Sequence, residues 1–198
     1  SSPGFLVNRI LMPYLLESVE LLNEGIPAQV IDKSMTDFGM PMGPITLADT
    51  VGLDVCLSVA RYLGQYYNTP IPPKLVQLVE ERKLGRKTGE GFFKYDKNGK
   101  QVKSEMPAYD KPLQASSDRL VLRMLNEAFA CLREGVVANG DLLDAGMVFG
   151  TGFAPFRGGP IQYAKSQGIH ELYEQYVLQR QAKGEKLEKN QTWDTITV

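Results

Sequence analysis

The chain has 198 residues and a mass of 22.0 kDa, with 43% hydrophobic and 23% charged residues, enough to bury a sizeable core and too apolar for whole-chain disorder. Lys and Arg number 22 against 23 Asp and Glu, and a net charge of -1 argues against a dedicated nucleic-acid binder. No apolar run reaches the roughly 18 residues that span a bilayer, and Ser1-Ser2-Pro3-Gly4 runs straight into an apolar segment, which reads as a start inside a longer polypeptide.

Helical spacing dominates the pattern. Phe5 to Glu24 places Phe5, Leu6, Ile10, Leu11, Tyr14, Leu15, Val19 and Leu22 on one side, with Gly25 as the C-cap candidate. Pro13 lies inside this helix and predicts a kink, because it has no N–H for the Arg9 carbonyl. Further helices are predicted from Pro27 to Phe38, from Pro44 to Asp49 with proline in the first position, from Asp54 to Tyr67 and from Pro73 to Lys83. The texture then changes: Gly85, Gly89 and Gly91 lead into Phe92-Phe93-Lys94-Tyr95, and Lys97-Asn98-Gly99-Lys100 has the character of a hairpin turn, so residues 91–102 are the one stretch expected to be β-hairpin-like. Residues 97–117 are polar, carry Pro107 and Pro112, and read as a linker. Asp118 caps a predicted helix to Val137, followed by helices at Asp141–Phe149, Pro160–Ser166 and Ile169–Ala182, and by a polar tail over 183–198.

The two halves resemble each other. An offset of 114 pairs Leu6, Val7, Arg9, Leu11 and Glu20 with Leu120, Val121, Arg123, Leu125 and Glu134. After a two-residue deletion Asp32 and Met35 fall on Asp144 and Met147; after a four-residue insertion Gly43-Pro44-Ile45, Ala48 and Gly52 fall on Gly159-Pro160-Ile161, Ala164 and Gly168. The ordered recurrence of helix, helix, turn, Gly-Pro and helix predicts a duplicated helical unit whose copies pack on one another. The copies differ at two polar positions, Asn8 against Leu122 and Asp49 against Lys165. A polar residue in one copy and a leucine in the other points to a site in the first copy and scaffolding in the second.

Several apparent motifs dissolve. Asp37-Phe38-Gly39 lacks the glycine-rich loop and catalytic loop of a kinase, and neither Gly150-Thr151-Gly152 nor Gly85…Gly89-Glu90-Gly91 is a G-x-G-x-x-G turn. Asn190-Gln191-Thr192 carries no weight as a sequon in a reducing compartment, which the two cysteines suggest. The single histidine, His170, has no spaced partners for a metal, and Cys56 and Cys131 lie among apolar neighbours, so the chain offers neither a metal site nor an acid–base pair. Asn8 is either a helix cap or an amide that orients a ligand carbonyl or hydroxyl. Arg82 to Lys103 holds eight Lys or Arg against Glu90 and Asp96, either a solvated face or a landing surface for a phosphate-bearing ligand.

Together, Pro3-Gly4-Phe5-Leu6-Val7-Asn8-Arg9, Met42-Gly43-Pro44, Asp49-x-x-Gly52-Leu53-Asp54 and Lys83-x-Gly85-Arg86-Lys87-Thr88-Gly89-Glu90-Gly91-Phe92 resemble the C-terminal domain of 3-hydroxyacyl-CoA dehydrogenases. Gly150-Thr151-Gly152-Phe153-Ala154-Pro155-Phe156-Arg157-Gly158-Gly159-Pro160 resembles the second such domain of the multifunctional fatty-acid-oxidation α-subunit. The resemblance implies an all-α fold of tandem duplicated helical bundles, like the C-terminal part of 6-phosphogluconate dehydrogenase, with a first copy over 3–96 and a second over 118–182. It implies the substrate-binding and packing portion of an NAD-dependent L-3-hydroxyacyl-CoA dehydrogenase of β-oxidation. NAD, the catalytic His and its Glu would lie on an N-terminal dinucleotide-binding domain, leaving this portion without cofactor, metal or catalytic residue and inactive alone. Asn8 falls on the family's substrate-contacting Asn, and Arg86 and Lys87 are candidate contacts for coenzyme A phosphates. Trp193 is a weak stand-in for a substrate-contacting Tyr near the C-terminus of some bacterial relatives. The implied partners are an acyl-CoA, the chain's own N-terminal domain, an upstream hydratase domain and a thiolase subunit, with no nucleic acid and no membrane span. The implied location is a bacterial cytoplasm, or mitochondria or peroxisomes in a eukaryote, although Thr195-Ile196-Thr197-Val198 is no peroxisomal address. The competing readings are a non-catalytic helical interaction module and the C-terminal part of a stand-alone 3-hydroxybutyryl-CoA dehydrogenase.

Overall fold

The structure, a computed structural model, describes residues 4–67, 69–185, 187 and 193; Pro3 and most of the polar tail lie outside these. Among the described residues the order is α1 (Val7–Asn23), α2 (Ala28–Phe38), α3 (Pro44–Val51), α4 (Leu53–Tyr67), α5 (Pro73–Glu80), a single 3-10 turn at Arg86–Thr88, α6 (Leu113–Arg133), α7 (Gly140–Thr151), a second 3-10 turn at Pro155–Arg157, α8 (Pro160–Gln167) and α9 (Ile169–Ala182). The architecture is all-α. The chain divides into two compact units: one holds Tyr14–Ser117, and the other joins the residues through Pro13 to those from Asp118 onward. Both divisions therefore fall inside helices, one in α1 and one in α6.

In the unit of residues 14–117, α2 packs on α3, α3 on α4 and α4 on α5. The apolar positions of α2 recur at helical spacing, and Val30, Ile31, Met35 and Phe38 are buried. Gly39, at φ 120°, ends that helix in a conformation that a side chain disfavours, and its N–H donates to the Met35 and Thr36 carbonyls. Pro44 begins α3, where its missing N–H removes no helical hydrogen bond. The next donors of α3 are met from α2: Asp32 accepts from the Ile45 N–H at 2.7 Å and from the Thr46 N–H and hydroxyl at 3.0 and 2.6 Å. A side chain at Gly43 would collide with this carboxylate.

The other unit repeats the device. There α7 packs on α8 and α8 on α9, and Asp144 of α7 accepts from the Ile161 and Gln162 N–H groups of α8 at 2.7 and 2.9 Å. Gly159 is the residue without a side chain in the way. The sequence pairing of Asp32 with Asp144 and of Gly43-Pro44-Ile45 with Gly159-Pro160-Ile161 thus extends to individual hydrogen bonds. The residues through Pro13 pack in this unit by the small-residue face of α7: a Cβ on Gly146 would lie 2.7 Å from Leu6 Cδ2, and one on Gly150 2.8 Å from Val7 Cγ2.

The structure departs from expectation at both ends of α6, which stops at Arg133 rather than Val137, at the end of α5 and in the hairpin-like stretch. Helix α6 starts at Leu113, because Ala115 N–H already bonds the Pro112 carbonyl, so Asp118 lies within the helix rather than at its start. Helix α5 stops at Glu80, where Arg82 turns to φ 58° and Lys83 N–H reaches back to the Leu78 carbonyl. The hairpin-like stretch forms single bridges, Glu90 with Lys94 and Tyr95 with Gln101, rather than a ladder. Its turn is held by Asp96, whose Oδ1 accepts from the Asn98 and Lys100 N–H groups at 2.8 and 2.9 Å.

Burial pushes the Asp32 carboxyl up to about 6, against hydrogen bonds from Thr46 and Ile45 that lower it. An unfolded Asp titrates near about 3.9, so the native state binds the proton more tightly in between. Asp32's contribution is then fully present below about pH 4 and declines as pH rises through about 6. The expected outcome is that the thermal-midpoint advantage of the parent over Asp32→Asn shrinks between pH 4 and 7, as measured by circular dichroism melts.

Candidate functional site

Asn8 lies in the first turn of α1 and is exposed, and its side chain makes no hydrogen bond among the described residues. Its position inside the helix separates it from the N-cap role, and its amide remains able to donate and accept. The residue beside it is the opposite in character. Arg9 is 2% exposed, and its guanidinium bonds Glu134 in a two-pronged arrangement, with Nη1–Oε2 at 2.5 Å and Nη2–Oε1 at 2.7 Å. Glu127 stands 3.7 Å from Nε, and Arg123 joins it at 3.5 Å while donating to the Tyr176 hydroxyl at 3.2 Å. Burial pulls the Arg9 pKa down, but the Glu134 hydrogen bond and the charges around it hold it above the ordinary value; the same bond lowers Glu134. The start of α1 is thereby fixed by a buried cation while the neighbouring amide stays open to solvent.

The second polar difference between the copies has a different outcome. Asp49 is fully buried, and it accepts from the Phe92 N–H, the Phe93 N–H and the Tyr95 hydroxyl, each at 2.9 Å. Burial raises its pKa against those three bonds. Side chains at Gly85 or Gly91 would strike Asp49, so the glycine-rich motif is the space through which the loop closes on the carboxylate. Asp49 is a loop anchor. Its counterpart Lys165 is exposed on α8, where no such loop stands among the described residues.

Arg86 and Lys87 belong to that loop and are exposed. They are in the unit of residues 14–117, whereas Asn8 is in the other. Lys87 Nζ bonds Asp54 at 2.6 Å and lowers its pKa. A cavity of about 560 Å³ is lined by Thr50, Arg86, Lys87, Gly89, Asp96, Lys97 and Gly99. Lys97 was visible in the sequence only as one charge among eight; the turn at Asp96 brings it to the same cavity as Arg86. His170 is exposed and pairs with Glu174 at 3.2 Å along α9. Cys56 and Cys131 are buried free thiols whose pKa values burial pushes up to about 11 and about 12, so neither is a nucleophile at neutral pH. Among the described residues no cluster of His, Cys, Asp and Glu could hold a metal ion, and no helix is long and apolar enough to cross a membrane. Trp193, the stand-in for a substrate-contacting Tyr, is 1% exposed; it stacks on Phe129 at 4.9 Å between ring centroids and donates to Asn126 at 3.3 Å.

Residues 4–95 match the family described as 3-hydroxyacyl-CoA dehydrogenase, C-terminal domain. Over 183 residues, 85% of the chain, the sequence is 38% identical to a fatty acid oxidation complex subunit alpha from Shewanella putrefaciens, of which the match covers 26%. Among solved structures, a likeness at TM-score 0.74 and 18% identity covers 100% of the chain and 59% of 3-hydroxybutyryl-CoA dehydrogenase from Escherichia coli, which supports the fold. Another, at TM-score 0.55 and 27% identity, covers 70% of the chain and 34% of the dehydrogenase part of multifunctional enzyme 1 from C. elegans. The likeness to the 3-hydroxyacyl-CoA dehydrogenase C-terminal domain is thus placed on residues 4–95. It spans about a quarter of the length of the curated relatives it matches.

The contrast between neighbours is measurable. Glu134→Gln leaves the Arg9 cation buried without its main partner and is expected to cost about 2–3 kcal/mol of stability. Asn8→Ala, at an exposed position, is expected to change it by less than about 0.5 kcal/mol. Urea denaturation of the two variants and the parent reads both values.

Proposed function

We propose that the chain is the substrate-binding and packing portion of an NAD-dependent L-3-hydroxyacyl-CoA dehydrogenase of fatty acid β-oxidation, within a multifunctional protein that also carries an enoyl-CoA hydratase. The observation that carries this reading is the exposed Asn8 amide, held beside the buried Arg9–Glu134 pair within the motif that resembles the family's substrate contact. An amide suits a substrate that changes from hydroxyl to carbonyl, because its oxygen accepts from the first and its NH₂ donates to the second without a change of charge. Arg86 and Lys87 are the candidate contacts for coenzyme A phosphates. The first and second copies, 3–96 and 118–182, and the connecting 97–117 remain part of this proposal.

The described residues do not fit a dinucleotide: they form helices and isolated bridges, with no strand leading into a glycine-rich helix start that would receive a pyrophosphate. NAD, which accepts hydride when bound, and the base that takes the hydroxyl proton are therefore assigned to another part of the polypeptide. A thiolase subunit is the proposed partner, and a bacterial cytoplasm the proposed location.

In the full-length enzyme Asn8→Ala is expected to lower kcat/KM for a 3-hydroxyacyl-CoA by about 10- to 100-fold, which is about 1.4–2.7 kcal/mol of transition-state stabilisation, and to leave the KM for NAD unchanged. Steady-state NADH formation measures both. Unchanged kinetics for the thioester would contradict the role of Asn8, and hydride transfer by the 198-residue chain alone would contradict the division of labour.

A further inference from the structure

The cavity at the glycine-rich loop has a chemistry that does not depend on a thioester. Of its three cations, Lys87 is held by Asp54, whereas neither Arg86 nor Lys97 has a carboxylate partner among the described residues. The cavity's own acid, Asp96, has its Oδ1 engaged by the Asn98 and Lys100 N–H groups. Gly89 and Gly99, at φ 81° and 71°, present bare backbone in the lining. The second glycine also makes room for the guanidinium, since a Cβ there would lie 2.9 Å from Arg86 Nε. The loop that carries these groups is tied down by Asp49 through Phe92, Phe93 and Tyr95, so the cations stand on a preorganised frame.

We infer that Arg86 and Lys97, facing one cavity across Gly89 and Gly99, form a binding site for a phosphate or pyrophosphate group. A planar guanidinium reads tetrahedral oxyanions through paired N–H donors, and an ammonium adds a point charge; together they favour a phosphate over a lone carboxylate. The Thr50 hydroxyl in the lining donates to the Thr46 carbonyl at 2.8 Å and helps fix the wall rather than compete for the anion. A volume of about 560 Å³ accommodates a diphosphate with part of the molecule attached to it. This inference extends the anion reading of Arg86 and Lys87 made above by shifting its weight to Arg86 and Lys97, and it needs neither the acyl chain nor NAD.

The test is isothermal titration of the 198-residue chain with inorganic pyrophosphate, inorganic phosphate and ADP in parallel. Pyrophosphate is expected to bind saturably at one site. Arg86→Gln combined with Lys97→Gln is expected to weaken it at least tenfold with an unchanged thermal midpoint, and Arg82→Gln with Lys103→Gln, outside the cavity lining, by less than twofold. Gly99→Ala, which intrudes on the guanidinium, is expected to weaken binding as well. Tighter binding of ADP than of pyrophosphate marks a nucleotide as the source of the phosphate, and equal binding marks the free anion. No saturable binding, or equal weakening by both double variants, would overturn the site and reduce the stretch to a solvated basic face. Because no thioester or NAD is used, that failure leaves the dehydrogenase reading standing, and a loss of the dehydrogenase reading leaves this site to be judged by its own titration.

Discussion

A guanidinium withdrawn from water must be met by carboxylates, and the burial of Arg9 is the constraint from which the candidate site follows. Glu134 meets it with two hydrogen bonds and Glu127 adds a second charge, while Arg123 and Tyr176 hold Glu127 in turn. Removing either carboxylate would leave a charge in a place that cannot solvate it, so the geometry at the start of α1 is narrowly determined. Asn8 inherits that definition through the backbone. Its own side chain makes no contribution to the clamp, and an exposed amide on a rigid turn is the arrangement a substrate contact requires.

The internal duplication shows the same logic of shared frame and local exception. Asp32 and Asp144 do identical work, each neutralising the open N–H groups of the following Gly-Pro helix, and both halves retain the carboxylate and the glycine beside it. Where the halves differ, burial explains the exchange. Leu122 is 1% exposed and fills the interior, whereas its counterpart Asn8 is at the surface. Asp49 is fully buried because a loop closes over it, and Lys165 is exposed where no such loop stands among the described residues. One polar difference therefore marks a candidate contact and the other a structural anchor.

Much of this was legible in the residues. The helices α1 to α4 and α7 to α9 follow from apolar spacing, Gly C-caps and Pro at first positions, because those signals act within a few residues of where they are written. The Asp32–Asp144 equivalence was visible as an alignment, though not its hydrogen bonds. What was not legible depends on contacts distant in the chain. Asp49 reaches Phe92 and Phe93 across more than forty positions, so the sequence marked it only as a polar difference from Lys165 and not as the anchor of a loop. Asp118 carried a cap signal that Pro112 pre-empted by opening α6 sooner. Arg9 and Glu134 each recurred between the copies, but nothing local tied the one to the other. The grouping of Lys97 with Arg86 likewise needed the turn at Asp96.

The most direct examination is a structure of the full-length protein with a 3-oxoacyl thioester bound. The Asn8 side-chain amide is expected within about 3 Å of an oxygen of that substrate, with the Arg9–Glu134 bonds intact beneath it. A bound thioester whose oxygens all lie beyond hydrogen-bonding reach of Asn8 would contradict it.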